Sequence, residues 1–254
     1  GSFIVEEGLK QGYQVWAGIR HSSSKKYLKD PHIHFIELDF NNPEKLEAQL
    51  AAHKAANGNW DYIVHAAGAT KCLNKEDFFR TNFDGTRIFV DTLCKLDMVP
   101  KQFVFVSSLS VYGAIRETPV RQSGNSPWIY APIREEDTPS PNTAYGQSKL
   151  KAEEYIKNIP GFPYVILRPT GVYGPREKDY FLMAQSIKQH SDFAVGYRPQ
   201  EITFVYVQDL VDAIFCAINA GVTQRAYFIS DGQVYHSQDF SDLIQKELGI
   251  KWLL

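Results

Sequence analysis

The sequence predicts an α/β fold in which a parallel β-sheet carries helices on both faces. Three observations lead there. Short β-rich runs alternate along the chain with helical segments of about ten or more residues, the pattern of successive βαβ units. Two of the runs, QFVFVSS from Gln102 and PYVILR from Pro163, are almost continuously apolar, as strands covered on both faces must be. Small and polar residues (Arg20, Asp39, Gly68, Ser108 and Pro169 to Val172) fall at the carboxyl ends of the predicted strands, where such sheets bind ligands.

FIVEEGLKQ reads as a helix with Phe3, Ile4, Val5 and Leu9 on one side and Gly12 as its stop. YQVWAGI (13–19) is a strand that runs into Arg20 and a polar loop, and IHFIEL (33–38) is a second strand ending at Asp39. Asn42 caps and Pro43 opens a helix that reaches Gly58. DYIVHAA is a third strand leading into Gly68. The segment from Glu76 to Leu96 has the helical period, with Gly85 inside it marking a close approach or a local cost.

After QFVFVSS comes an irregular stretch from Gly113 to Asn142 with five prolines, too long for an ordinary connection. Trp128 and Tyr130 within it suggest an aromatic lid, or equally a surface loop anchored by its rings. The helix TAYGQSKLKAEEYI and the strand PYVILR follow. RPTGVYGPREKDY is turn-rich, FLMAQSIKQ a helix, ITFVYV a strand, QDLVDAIFCAINA a helix, RAYFIS a strand and SQDFSDLIQKELG a last helix. No internal repeat is visible.

Composition excludes several classes. A formal charge of -2 without a Lys/Arg block gives no sign of a nucleic-acid partner. No apolar run approaches the ~20 residues of a membrane span, and no signal peptide is expected. Cys72, Cys94 and Cys216 are scattered and odd in number, which points to reduced, buried thiols in a cytoplasmic protein. His32 and His34 would share a strand face but lack a third ligand at sensible spacing, so no metal is expected. Ser107 or Ser108 with His65 lacks the G-x-S-x-G elbow of a hydrolase.

The chemistry centres on Tyr145 and Lys149. Four residues apart on a helix, they share one face, and a cation near a phenol favours the phenolate, so the pair could pass a proton to or from a substrate oxygen. In a chain with 14 Tyr, chance alone supplies about one such spacing, so its context decides.

That context is a set of motifs: HAAG (65–68), NFDGT (82–86), FVFVSSLSVYG (103–113), YGQSK (145–149), LRPTGVYGP (167–175) and FVYVQDL (204–210). In this order, over nearly the whole chain, they resemble the extended short-chain dehydrogenase/reductases, the NAD-dependent epimerase/dehydratase family. The resemblance implies a Rossmann-type doubly wound parallel sheet over residues 1–170. It also implies a smaller C-terminal substrate-binding subdomain over 171–254, with 203–220 returning to the sheet. It implies a Ser108-Tyr145-Lys149 centre: Ser108 polarises the substrate oxygen, Tyr145 transfers the proton, and Lys149 lowers the Tyr145 pKa and grips the nicotinamide ribose. Asn82 would shape the cofactor side, or hydrogen-bond backbone.

The same resemblance calls for a first strand and a glycine-rich turn, of which only Gly1 remains here. The first strand and most of the loop are therefore expected to be missing from the chain, although an appended Gly-Ser pair is a competing reading of residues 1 and 2. For the cofactor, Arg20 at a strand end with Ser22 close by suits a 2′-phosphate, favouring NADP, with NAD possible. Asp39 and Phe40 match adenine-contacting positions, Ala66, Ala67 and Gly68 allow close approach of the cofactor, and Pro169 and Val172 flank it.

Relatives acting on nucleotide sugars carry Asn where this chain has Gly171, and Arg where it has Ile202. The leading expectation is thus an NAD(P)-dependent oxidoreductase interconverting a secondary alcohol and a ketone in a small-molecule substrate without a diphosphate. The alternative is a nucleotide-sugar epimerase or dehydratase with tightly bound NAD, kept open by Arg176 and Arg198. A non-catalytic dinucleotide-binding regulator is a third reading. Relatives pair through helices like 76–96 and 143–158, so a homodimer is expected by analogy.

Overall fold

The computed structural model describes residues 1–113, 131–192 and 201–251. Helix α1 (Ser2–Lys10) leads into β1 (Trp16–Ile19), β2 (His34–Glu37), α2 (Pro43–Asn57) and β3 (Tyr62–His65). A short α3 (Lys75–Phe78), a π-helical turn (Phe79–Asp84) and α4 (Gly85–Lys95) follow, then β4 (Gln102–Val106), a 3₁₀ turn (Leu109–Val111) and α5 (Ala144–Lys157). Beyond them lie β5 (Tyr164–Pro169), β6 (Gly171–Tyr173), α6 (Asp179–Lys188), β7 (Glu201–Ile202), β8 (Phe204–Tyr206), α7 (Val207–Ala220), β9 (Arg225–Ile229), β10 (Tyr235–His236) and α8 (Ser237–Glu247).

Strand alternation builds the two-faced core. Phe103 and Phe105 of β4 and Ile166 of β5 point to one face, where Leu46 and Leu50 of α2, Phe89 and Leu93 of α4 and Ile156 of α5 cover them. Val104, Val165 and Leu167 point to the other, under Ile214, Phe215 and Ile218 of α7 and Phe3 and Ile4 of α1. Each such side chain contributes roughly 1.5–3 kcal/mol when fully buried, so period-two alternation in two apolar strands fixes which helices lie on which side. The Asn42 side chain caps α2 by accepting from Lys45 N at 3.0 Å, as its position before Pro43 predicts.

The sheet is interrupted at one position. β3, β4, β5 and β9 form a parallel four-stranded ladder in that order, and β1 pairs in parallel with β2 alone. Among the described residues no strand joins β1 to β3. A cavity of about 580 Å³ lies between them, lined by Trp16, Gly18, Tyr62, Val64, Phe89 and Phe215 among others. The expected central position of a doubly wound sheet is therefore left open between two parallel strand edges.

Other differences from the sequence reading have local causes. The 76–96 segment is not one helix: it widens into the π turn, and Gly85 restarts it where a Cβ would stand 3.3 Å from Phe40 Cβ. ITFVYV divides into β7 and β8, which serve different small sheets, and Val207 already opens α7. From the 203–220 stretch it is α7 that returns, covering the sheet, whereas the strand added to it is β9 beside β5. Cys94 and Cys216 are exposed, because both stand on the outer faces of amphipathic helices; only Cys72 is half-buried. Trp128, Tyr130 and Arg198 lie outside the described residues. No helix among the described residues is long and apolar enough to cross a membrane.

Beside the main sheet, β6 pairs with β8 in parallel and β7 with β10 antiparallel. Phe204 anchors this part, its ring 5.2–6.1 Å from those of Tyr173, Tyr180, Tyr235 and Phe240.

Candidate active site

Three backbone features bring α5 against the end of β4. Thr143 caps the helix, its Oγ1 accepting from Gly146 N at 3.1 Å. Gly146 has no Cβ because one would overlap the Ser110 carbonyl oxygen. Gly113, at φ 56°, closes the turn where a side chain would strike the backbone of Ser140 to Asn142. The helix thereby presents Tyr145, Lys149 and Glu153, at i, i+4 and i+8, along one face.

Ser108 caps the 3₁₀ turn: its Oγ accepts from Ser110 N at 3.2 Å and donates to Ser110 Oγ at 3.1 Å. The Tyr145 phenol stands near it. Burial pushes that phenol up from its ordinary value, and Ser108 opposes the rise. The Lys149 cation, expected to lower it, is not among the causes of the shift. Lys149 is buried, donates Nζ to the Val106 carbonyl at 2.7 Å and lies 4.3 Å over the Phe105 ring. Burial pulls its ammonium down to about 8, while the Glu153 carboxylate acts to raise it.

Asn82, fully buried in the π turn, fastens the loop after β3. Its Oδ1 accepts from Ala69 N at 2.7 Å, and its Nδ2 donates to Ala69 O and Ser148 Oγ, both at 3.0 Å. Asn82 thus bonds the backbone of the loop after β3 and joins it to α5. A Cβ on Gly68 would stand 3.0 Å from Asn82 Oδ1 and 3.8 Å from Lys149 Nζ. Ser108, Tyr145, Lys149, Asn82 and Gly68 therefore meet at one place, with exposed Ala66 and Ala67 leading into it.

The remaining expected residues line the ends of β1, β2, β5 and β6. Arg20 and Ser22 are exposed, in a turn held by Ser23 Oγ accepting from Arg20 N at 2.9 Å. Asp39 accepts from Asn41 N at 3.2 Å and pairs with Lys45 at 3.3 Å. Phe40 turns its ring inward, 5.1 Å from Phe89 and 5.7 Å from His65. Gly1 caps α1, Pro169 is buried at the end of β5, and Val172 is half-buried on β6. Arg176, considered an anion ligand, is stacked on Phe3 and Tyr27 and pairs with Glu6 at 2.8 Å.

Sequence reasoning missed the buried polar network beneath this site. The Glu153 carboxylate accepts from Ser107 Oγ at 2.6 Å, from Arg168 Nε at 3.1 Å and from Arg168 NH2 at 2.6 Å. Arg168 NH1 donates in turn to the Tyr112 hydroxyl at 2.7 Å. The i+8 spacing from Tyr145 was the available signal.

Residues 1–230 match the model of the NAD dependent epimerase/dehydratase family. The chain belongs to that family. It is accordingly an enzyme family member whose cofactor is a nicotinamide dinucleotide. The epimerase/dehydratase chain is similar to the UDP-glucose 4-epimerase of Vibrio cholerae, 25% identical across 95% of this chain and 69% of that protein. It is also similar to the GDP-6-deoxy-D-mannose reductase of Pseudomonas aeruginosa, 27% identical across 75% of this chain and 65% of that protein. The crystal structure of UDP-glucose 4-epimerase from Thermotoga maritima with UDP-glucose superposes with a TM-score of 0.80 at 21% identity, covering 99% of this chain and 80% of that one. That likeness shows the Rossmann-type fold. Ala66, Ala67 and Gly68 are small and exposed, which leaves the backbone at this edge open to the close approach a dinucleotide makes.

Proposed function

We propose that this epimerase/dehydratase family enzyme interconverts a secondary alcohol and a ketone at the Ser108-Tyr145-Lys149 cluster. The observation that carries the reading is the backbone contact of Gly146 with the Ser110 carbonyl, which seats the first turn of α5 on the turn after Ser108, with the buried Lys149 bonded to the Val106 carbonyl one helical turn from Tyr145. The nicotinamide cofactor supplies the hydride acceptor or donor. Ser108 holds the substrate oxygen and polarises it; Tyr145 passes the proton to or from that oxygen; Lys149 keeps positive charge beneath both. Gly1, Arg20, Ser22, Asp39, Phe40, Ala66, Ala67, Gly68, Asn82, Pro169 and Val172 are the residues assigned to hold the dinucleotide, with Lys149 at its ribose. Residues from 171 onward, outside α7 and β9, are assigned to the substrate.

Exposed Arg20 and Ser22 at the end of β1 support NADP, since an Arg there can pair with a 2′-phosphate. For the substrate, a side chain at 171 would meet the Tyr180 hydroxyl at 2.5 Å and Phe204 at 3.1 Å. That crowding supports a substrate not held by a polar group from position 171. A second reading, favoured by the Vibrio cholerae relative, is epimerisation of a nucleotide sugar with NAD retained and returned to its starting state. A cytoplasmic homodimer pairing through α4 and α5 completes the reading.

The test supplies NADPH, NADH and NAD in turn with ketones and with UDP-hexoses. The first reading expects net consumption of NADPH on a ketone; the second expects an epimeric sugar and unchanged cofactor absorbance. Arg20→Ala should abolish a preference for NADP over NAD, and equal preference before and after would remove the argument for NADP.

A further inference from the structure

We propose that the buried Glu153–Arg168 pair is a positioning device, holding the 106–112 segment in register with Tyr145 and Lys149 on α5. This inference rests on the Ser108-Tyr145-Lys149 reading above. Neither residue touches the reacting groups; both act through what they hold.

Ser108 sits on a segment that leaves the sheet after Val106 and turns immediately. Its last ladder bond is Ser107 N donating to the Leu167 carbonyl at 2.7 Å, so from Ser108 onward its position depends on what lies beneath it. Glu153 binds both flanks of Ser108. On one side its carboxylate accepts directly from Ser107 Oγ at 2.6 Å. On the other it holds the Arg168 guanidinium through Nε and NH2, and Arg168 NH1 donates to Tyr112, whose hydroxyl donates to the Glu135 carbonyl at 3.3 Å. Arg168 comes from β5, next to the strand that carries Ser108. One carboxylate therefore ties α5, β4, β5 and the turn after Ser108 into a single unit.

The pair is costly to bury: side-chain exposure is 5% for Arg168 and 0% for Glu153. Buried ion pairs rarely outdo apolar side chains of similar volume in stability, and their best-attested use is to fix one arrangement among several. A fork of two parallel N–H bonds suits that use, because it restrains angle as well as distance. Glu153 has a further reach, one turn below Lys149. The groups facing Lys149 are Tyr145 and Glu153 on its own helix, His65 on β3, Val106 O and Phe105 on β4, Asn82 through Gly68, and Arg168 behind Glu153. Among these, Glu153 is the anion that favours the charged ammonium.

Three variants of the full chain test this, with turnover and the ionisation of Lys149 read separately. Lys149 is followed by NMR of isotope-labelled lysine side chains and assigned by the signal lost in Lys149→Arg. Arg168→Lys keeps the charge but not the fork; kcat should fall on the order of 100-fold, the cost of a small misplacement, with KM within about two-fold and Lys149 titrating as in the parent. Glu153→Gln should shift the Lys149 titration to lower pH as well as reduce kcat. Because either single change strands a buried group, the double variant Glu153→Met/Arg168→Met provides an apolar replacement expected to fold. Loss of kcat in the folded double variant supports positioning; parental kcat there overturns it, as does an unmoved Lys149 titration in Glu153→Gln. Tyr145→Phe separates the two claims: if it keeps parental turnover the proton-transfer reading fails, whereas the Lys149 titration still judges Glu153.

Discussion

Gly146 lies against the Ser110 carbonyl so closely that any Cβ would occupy the oxygen's space. The first turn of α5 and the turn after Ser108 thus touch backbone to backbone, which sets how far Tyr145 stands from Ser108. Neither main chain can move aside as a flexible side chain would. Gly146→Ala should destabilise the fold by about 1–3 kcal/mol, the usual cost of forcing a methyl into a packed site, despite the higher helix propensity of Ala. Urea denaturation checks the stability. A variant more stable than the parent would show that the contact is looser than described.

Asn82 spends three hydrogen bonds on fixing the Ala69 peptide and Ser148. Asn82→Leu removes the partner of a part-buried N–H and C=O, each worth roughly 1–3 kcal/mol when left unpaired. A fall in Tm and faster proteolysis of the 69–74 loop are expected. Asn82→Asp should also fail, because a carboxylate places an acceptor against the Ala69 carbonyl.

His65 provides a pH signature independent of activity. Burial, aided by the nearby Lys149 cation, lowers its pKa to about 3, against 6.5 for an ordinary imidazole. The unfolded chain therefore binds one more proton than the folded one between those values. Stability attributable to His65 is complete above pH 6.5 and is lost as pH falls toward 3, at up to about 1.4 kcal/mol per pH unit. Denaturation at a series of pH values should show a shallower slope in His65→Leu over that window. Parallel slopes would contradict the assignment.

The legibility of this chain follows from what each feature depends on. β4 and β5 were readable because strands buried on both faces must be apolar throughout, and the cap at Asn42 because Pro43 fixes the first turn. Tyr145, Lys149 and Ser108 were readable as a motif. Hidden were features that depend on distant neighbours. The π turn around Asn82 arises from the fit against α5 and the loop after β3, and the helical period of 76–96 carries no mark of it. Arg168 ends a strand readable as buried and Glu153 lies on a helix with many charges; only the meeting of α5 with β5 shows that they are buried together. The outward turns of Cys94 and Cys216 likewise depended on which face of α4 and α7 met the sheet.

The central claim is that Tyr145 carries the proton. Tyr145→Phe removes one hydroxyl and leaves the ring's contact with Phe78, at 6.1 Å between centroids, in place. Single-turnover measurement with a substrate that the parent converts should give a rate lower by about 10²–10⁴-fold, the usual worth of a general acid or base, with unchanged Tm and cofactor affinity. Turnover equal to the parent's would contradict the account.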